Sequence, residues 1–446
     1  MRRVAVIRKI GVIAGLLFIY SCGHREDPVV PPRTFRYVAV GDSLTAGFMD
    51  GGLIYDGQMG SYPALIASKL NLASAFTQPY IMQPGLGNSA ATDGYVAGVL
   101  RWNDGIIELL GETLAADAAK LSPTAILTAP YGNLGVPGAT VADVLWAHDS
   151  ADSSVEGNKY FDLILRNSNL GKSTMAEQAI RKRPTIVTVW IGNNDILGGA
   201  TSGDPVAGIN MTNVEVFAVR FATLLAQLRT EVTAANGEAP IIVAANIPLV
   251  TDAPYFVPKA LFDDAADGIV EDGNAAPVPT DESSVAFVRF PAFAELGKDG
   301  ALPLSGEWTL TGDEAAAVAD MVAAYNVRIA EICDAAGVGL ADMRQLLSDA
   351  KTGTFEPLGC GHYGIYQNPT TIYSLDGIHP NNKGYALAAN VWLRTIDEAA
   401  GTDLGTVDAT AAVWDPTHGT GAASAPRSGS GRMTAEAAAA IERLFR

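Results

Sequence analysis

From Arg36 to about residue 400, short apolar runs alternate with longer stretches in which apolar residues recur at helical spacing. The short runs are "RYVAV" (36–40), "TAILTAP" (124–130), "TIVTVWIG" (185–192), "PIIVAANIP" (240–248) and the weaker "VGLADM" (338–343). They are largely continuous and rich in β-branched residues, as strands covered on both faces are. Helical patterns fall between them. Ser61-Tyr62-Pro63 opens one, with Ser61 as cap and Pro63 in the first turn. The others are 140–148, 214–232, 310–337 and 382–400. This alternation predicts an α/β fold, a three-layer doubly wound parallel five-stranded sheet with an insertion before the last strand.

Two regions depart from the alternation. Residues 252–311 carry "PYFVPKALF", then acidic "DDAADGIVEDG", then "VAFVRFPAF". A stretch this long is more than a bare loop. Two readings stay open for it, a lid or acyl-binding wall and a small accessory hairpin packed on the domain. The acidic run reads as a solvated loop, because Ala265 and Asn274 stand where a calcium loop needs carboxylates. Residues 401–446 turn to Gly, Ser, Ala and Thr. "GTGAASAPRSGSG" reads as a flexible linker, and "TAEAAAAIERLFR" as a short helix with Ile441, Leu444 and Phe445 on one face. Docking of that helix on its own domain is the simpler expectation, and a partner the alternative.

The N-terminus has its own logic. Arg2, Arg3, Arg8 and Lys9 precede an uncharged, mostly apolar run, Ile10 to Tyr20, that suits a secretory signal and is too short to span a bilayer. "IYSC" resembles the lipobox of bacterial lipoproteins, with Ile19 and Tyr20 where Leu and a small residue are usual. The resemblance implies a signal peptide over 1–21 and lipidation of Cys22. The polar, Pro-rich stretch over 22–34 reads as an extended tether, and the resemblance implies attachment to the bacterial cell envelope, at the outer membrane. A secreted or periplasmic protein is the alternative. With 30 basic against 48 acidic residues and a net charge of -18, the chain repels nucleic acid and anionic lipid surfaces, so no nucleic-acid partner is expected. Cys333 and Cys360 could pair in an exported protein, and two buried thiols is the favoured reading. No Cys/His spacing suggests zinc, and neither metal nor cofactor is expected.

Ser43 stands in "YVAVGDSLTAG" (37–47), where a strand runs into Gly-Asp-Ser, and could be a turn residue or a nucleophile. A serine nucleophile needs a general base. Of the five histidines, His24 lies in the tether, His418 near the tail linker, His148 at a helix end beside Asp149, and His362 in "GCGHYG". His379 lies in "LDGIHPNNKGYALAANVW", with Asp376 three residues earlier, so a tight turn can set the carboxylate against Nδ1 while Nε2 faces outward. Ester cleavage also needs preorganised donors for an oxyanion. Gly138 in "NLGVPGATVADVL" and Asn194 in "IGNNDIL" offer a backbone N–H and a side-chain amide. Taken singly they read as a turn glycine and a helix cap. Every one of these residues follows the carboxyl end of a strand candidate, where open α/β sheets bind ligands.

"GDSLTAG", "GVPGAT", "GNND" and "DGIHPNNKG" together resemble the four blocks of the SGNH, or GDSL, hydrolases over about residues 36–400. The Gly-x-Ser-x-Gly elbow of ordinary α/β-hydrolases is absent. The resemblance implies a flavodoxin-like SGNH-hydrolase domain over 35–400. It makes Ser43 the nucleophile, His379 the base and Asp376 its orienter. It also implies an oxyanion hole from the Ser43 N–H, Asn194 and Gly138, which is matched in preference to Gly135 because it directly precedes the Ala-Thr that starts the helix. The expected activity is ester hydrolysis through an acyl-enzyme, on lipid or other acyl esters. A carbohydrate O-deacetylase and a non-catalytic acyl-binding surface lipoprotein are the alternatives.

Overall fold

The computed structural model describes residues 34–87, 98–103, 106–110, 122–263, 284–295, 308–354, 371–419 and 432–443. Cys22, His24, Cys360, His362 and all but the first residue of the acidic run lie outside the described residues.

Five strands form the central sheet: β1 (Tyr37–Gly41), β2 (Asn133–Gly135), β3 (Ile186–Trp190), β4 (Ile241–Ala245) and β5 (Gly339–Ala341). Their order is β5-β4-β3-β1-β2, with every neighbouring pair parallel. Parallel neighbours require crossovers, and the intervening helices supply them. The order reverses at β1, so a crevice opens where the chain leaves β1 for one side and β3 for the other. Gly41 stands opposite both Gly135 and Trp190, so β1, β2 and β3 end level and their following loops begin side by side.

The strand side chains divide between two faces. Tyr37, Ala39, Trp190 and Val243 pack with Tyr62, Tyr385 and Trp392 from helices Tyr62–Lys69 and Asn382–Ala400. Val38, Val40, Val187 and Val189 point the other way, onto Phe217 and Phe221 of Val214–Asn236 and Val318 and Val322 of Gly312–Ala336. Burying one such aromatic fully is worth roughly 1.5–3 kcal/mol, and both layers are built from them. Cap chemistry sets the helix starts. Ser61 accepts from the Ala64 N–H, and Thr140 and Thr311 form capping boxes with Asp143 and Glu314.

One strand expectation is corrected. Residues 124–130 form turns, and the second strand of the sheet is the shorter 133–135. Ile126 is 84% exposed. The carbonyls of Leu127 and Ala129 accept from the Arg166 guanidinium at 2.5 and 2.8 Å, so they serve no ladder. Pro130 has no N–H to donate. In β2 the polar Asn133 is satisfied inside the core, donating to the Thr45 carbonyl at 2.8 Å and to Gln78 Oε1 at 3.0 Å.

The described part of the insertion is a three-stranded antiparallel sheet of Phe256–Pro258, Val285–Arg289 and Thr309–Thr311, packed on the core through Phe256, Val288 and Leu310. At the C-terminus, Arg432–Met433 pairs with the strand Ile106–Leu109, and helix Ala435–Arg443 lies on the domain with Ile441 fully buried. Leu444 and Phe445 lie outside the described residues. Cys333 is buried, and burial pushes its thiol up to about 12.

Candidate active site

Gly41 ends β1, and Asp42 caps the helical turn Ser43–Ala46 by accepting from the Leu44 N–H at 3.0 Å. A Cβ on residue 41 would stand 2.1 Å from Thr45 Oγ1 and 2.3 Å from the Trp190 carbonyl, so only glycine lets the turn start this close to β3. As the first residue of a helical turn, Ser43 has no intrahelical acceptor for its N–H, which makes no hydrogen bond among the described residues. Asp42 is fully buried. Burial pushes its carboxyl up to about 6, against the opposing effect of the Asn193 amide, which donates to Oδ2 at 2.9 Å.

Ser43 Oγ lies 2.8 Å from His379 Nε2, and His379 Nδ1 lies 3.0 Å from Asp376 Oδ2. The residues come from opposite ends of the chain. The second half of the arrangement is local: Asp376 Oδ1 accepts from the N–H groups of Ile378 and His379 at 2.9 and 2.8 Å, folding the carboxylate back over its own turn. Oδ2 also accepts from the Gly51 N–H at 2.9 Å. Burial alone would raise Asp376, yet the charge of His379 and these hydrogen bonds outweigh it and hold the carboxyl below its ordinary value. The His379 ring rests against Phe48, centroids 4.6 Å apart. Asn381 starts the next helix by accepting from the N–H groups of Lys383 and Gly384, and its own amide donates to the carbonyls of Thr371 and Tyr373. A neutral imidazole whose Nδ1–H donates a hydrogen bond to a carboxylate leaves Nε2 as an acceptor, facing the serine hydroxyl.

On the other side of Ser43 stand the loops after β2 and β3. Gly138 has φ +80°, and its N–H has no acceptor among the described residues. The carbonyls on either side of it are pinned, Pro137 by Asn158 at 2.8 Å and Ala139 by Asn194 Nδ2 at 2.9 Å. The Asn194 amide has a second proton to offer. Gly135, the other glycine of this segment, sits inside β2 and donates its N–H to Asn133 Oδ1 at 2.9 Å. Gly138 therefore has the spare donor. Asp195 Oδ2 accepts from the Val141 N–H at 2.9 Å and so ties the helix after β2 to the loop after β3. Burial pushes the Asp195 carboxyl up to about 7, and its Oδ1 has no partner among the described residues.

A cleft of about 110 Å³ opens beside Ser43. Ser43, His379, Asn193 and Asn194 form its polar end, while Leu44, Trp190, Met343, Leu346 and Leu347 line its apolar part. Gly138 does not line this cleft and joins the group through Ala139 and Asn194. Of the insertion's described residues, only Ala253 reaches the cleft, and helix Met343–Lys351 supplies the wall there.

Sequence reasoning missed Gly51, Asn193 and Asp50, and set His418 aside as part of the tail. His418 is buried, with Nε2 3.2 Å from Asp50 Oδ2. The only hint was the Asp50-Gly51 pair, which reads as an ordinary turn. His148 pairs at the surface with Asp152 at 2.9 Å. Among the described residues no group of three or more His, Cys, Asp or Glu is gathered as a metal site.

No curated protein matches the chain significantly. Solved structures similar to it include an acetyl xylan esterase, at 13% identity over 81% of this chain and 98% of that one, with a TM-score of 0.32. An extracellular lipase from Streptomyces rimosus matches at 15% identity over 82% and 100%, with a TM-score of 0.30. A variant of an acetyl-xylooligosaccharide esterase from Geobacillus matches at 12% identity over 84% and 97%, with a TM-score of 0.33. Likeness at this level carries no argument about substrate. The family profile of the GDSL-like lipases and acylhydrolases matches residues 37–392, which takes in the whole central sheet and all the residues gathered around Ser43. The chain belongs to the GDSL-like lipase/acylhydrolase family and is a hydrolase of that family.

Proposed function

We propose that the chain is a serine carboxylic-ester hydrolase acting on short- to medium-chain acyl esters. The observation that carries the reading is the line from Ser43 Oγ through His379 to Asp376, with contacts of 2.8 and 3.0 Å. Ser43 Oγ attacks the ester carbonyl carbon while its proton passes to His379 Nε2. The carbonyl electron pair moves onto oxygen, where the spare N–H groups of Ser43 and Gly138 and the Asn194 amide are the available donors. Collapse expels the alcohol, protonated by His379. Water then repeats the sequence on the acyl-enzyme, releasing the acid and restoring Ser43. Asp376, held ionised by its hydrogen bonds, stabilises the imidazolium in both halves.

The cleft supports the acyl preference. Apart from Ser43, His379, Asn193, Asn194 and Tyr373, its lining is largely apolar, so a sugar ring would meet mostly apolar wall. An apolar cavity of ~150 Å³ accepts one benzene ring. A cleft of about 110 Å³ therefore suits an acyl chain of several carbons, and a palmitoyl chain would run out into solvent. Turnover of p-nitrophenyl acetate, butyrate, octanoate and palmitate tests this, with kcat/KM expected to peak at butyrate or octanoate. Strict preference for acetate would favour a deacetylase instead. Ser43→Ala should abolish turnover and labelling by a fluorophosphonate, and full activity in the folded variant would sink the reading. Lipidation at Cys22 is proposed alongside it. Incorporation of labelled fatty acid in a bacterial host, lost in Cys22→Ala, is the expected result.

A further inference from the structure

A second buried cluster of titratable groups, which the proposed acyl transfer does not use, lies beneath the loop that carries Asp376. Asp50 is fully buried and adopts φ +54°, a region that non-glycine residues seldom occupy. Its Oδ1 accepts from the Leu375 N–H at 2.8 Å, and its N–H donates to Ser374 Oγ at 3.0 Å. The next N–H, of Gly51, donates at 2.9 Å to Asp376 Oδ2, the oxygen that faces His379 Nδ1. Asp50 and Gly51 thus grip the consecutive residues 374, 375 and 376.

The C-terminal segment holds Asp50 from the other side. Trp414 Nε1 donates to Asp50 Oδ2 at 3.1 Å, and His418 Nε2 lies 3.2 Å from the same oxygen. His418 Nε2 also stands 3.1 Å from the Leu100 carbonyl. Both neighbours of that nitrogen are acceptors, so it carries a proton whatever the state of the ring. The three groups that meet the Asp50 carboxylate are therefore all donors, Leu375 from the 374–376 loop and Trp414 and His418 from the C-terminal segment.

We propose that Asp50, locked by Trp414 and His418, is a positioning residue for the reaction. It fixes the 374–376 loop and, through the Gly51 N–H, the carboxylate that orients His379. The proposal rests on the reading of Ser43, His379 and Asp376 given above. It makes the C-terminal segment part of the working site, although none of its described residues lines the cleft. The geometry gives the role a direction. An Asn at position 50 would turn its NH2 toward either the Leu375 N–H or the two donors of the C-terminal segment. No orientation satisfies all three.

The test uses the full chain with Asp50→Asn, Trp414→Phe, His418→Gln and His418→Ala. Rates on p-nitrophenyl butyrate are divided by the number of serines labelled to completion with a fluorophosphonate, so that misfolded protein drops out. A misaligned catalytic group costs on the order of 10- to 100-fold, and that loss in kcat per labelled site is expected for Asp50→Asn, with KM within about twofold. Trp414→Phe loses one donor without changing charge and is expected to fall by roughly three- to tenfold. His418→Gln keeps a donor and should stay nearer to the parent than His418→Ala. Unchanged kcat per labelled site in Asp50→Asn and Trp414→Phe, or a loss confined to KM, would overturn the positioning role and leave Ser43 untouched. If Asp50→Asn does not fold, the Trp414 and His418 variants decide. Turnover in folded Ser43→Ala would instead overturn the reading beneath.

Discussion

Asp376, Asp42 and Asp195 are all buried, and what separates them is the nearby charge and the supply of donors. Asp376 accepts from the backbone at Gly51, Ile378 and His379 and faces the His379 ring, and its carboxyl is held low. Asp42 has the Leu44 N–H and the Asn193 amide and reaches about 6. Asp195, whose Oδ2 takes the Val141 N–H and which has the like charge of Asp143 nearby, reaches about 7. Burial raises each, and neighbouring charge, His379 above all for Asp376, together with hydrogen bonds to the charged form decides how much of that rise survives. The same accounting gives Asn194 a testable weight. Removing one oxyanion donor costs ~100- to 1,000-fold in kcat, so Asn194→Ala should lose that much on a short ester, with KM changed by at most a few-fold. An effect confined to KM would remove Asn194 from the oxyanion side. Asp376 and His379 were legible in the sequence because one tight turn carries both, and Ser43 because its strand runs straight into it. Gly51 and Asn193 were not legible. Each acts on a carboxylate far away in the chain, and nothing local marks a backbone N–H or an amide as aimed there.

Among the elements, the helical patterns read from the sequence are present, while Tyr160–Leu165, Met175–Arg181, Asn194–Ser202 and Met343–Lys351 were not read. Thr140 and Thr311 are followed three residues later by Asp143 and Glu314, and both boxes close. Strands carry no such signal. The run at 124–130 had the composition of a strand, but Arg166 takes its carbonyls. The true β2 is three residues long and begins with Asn133, so apolar pattern alone pointed to the wrong segment. The helix Met343–Lys351 shows the converse. It was not among the helical patterns read from the sequence, and it walls the cleft with Met343, Leu346 and Leu347. Filling that wall should shorten the acyl chain accepted. Leu346→Trp is expected to raise the ratio of acetate to octanoate kcat/KM by on the order of tenfold, since each methylene lost from an apolar pocket is worth ~1–3 kcal/mol. An unchanged ratio would place the acyl chain elsewhere.

Over the whole molecule, the strand order and level strand ends bring the loops at residues 43, 138 and 194 side by side, and the turn that carries His379 reaches Ser43 from beyond the edge strand β5. That gathering follows from the parallel α/β reading. The burial of Asp50 against His418 does not, because it depends on where the tail returns. Burial on this scale also sets the response to pH. Asp195 holds its proton up to about 7 when folded and releases it near 3.8 when unfolded. Asp42 does the same between 3.8 and about 6. In those windows the folded state binds more protons, so stability falls as pH rises. Asp376 is shifted the other way, so its contribution is present above 3.8 and is lost as pH falls through its lower folded value. The net charge of -18 adds self-repulsion as pH rises. The chain should therefore unfold at a higher temperature at pH 5 than at pH 8. Asp195→Asn isolates one cause. Its amide oxygen can take the Val141 N–H, and its NH2 occupies the position of the oxygen that has no partner, without a charge to desolvate. At pH 8 the variant should be more stable than the parent by on the order of 1–3 kcal/mol, and at pH 4.5 the two should nearly coincide. Calorimetric unfolding of both proteins at the two pH values measures this directly. A stability difference that stays the same at pH 4.5 and 8 would mean that ionisation of Asp195 contributes nothing to the slope.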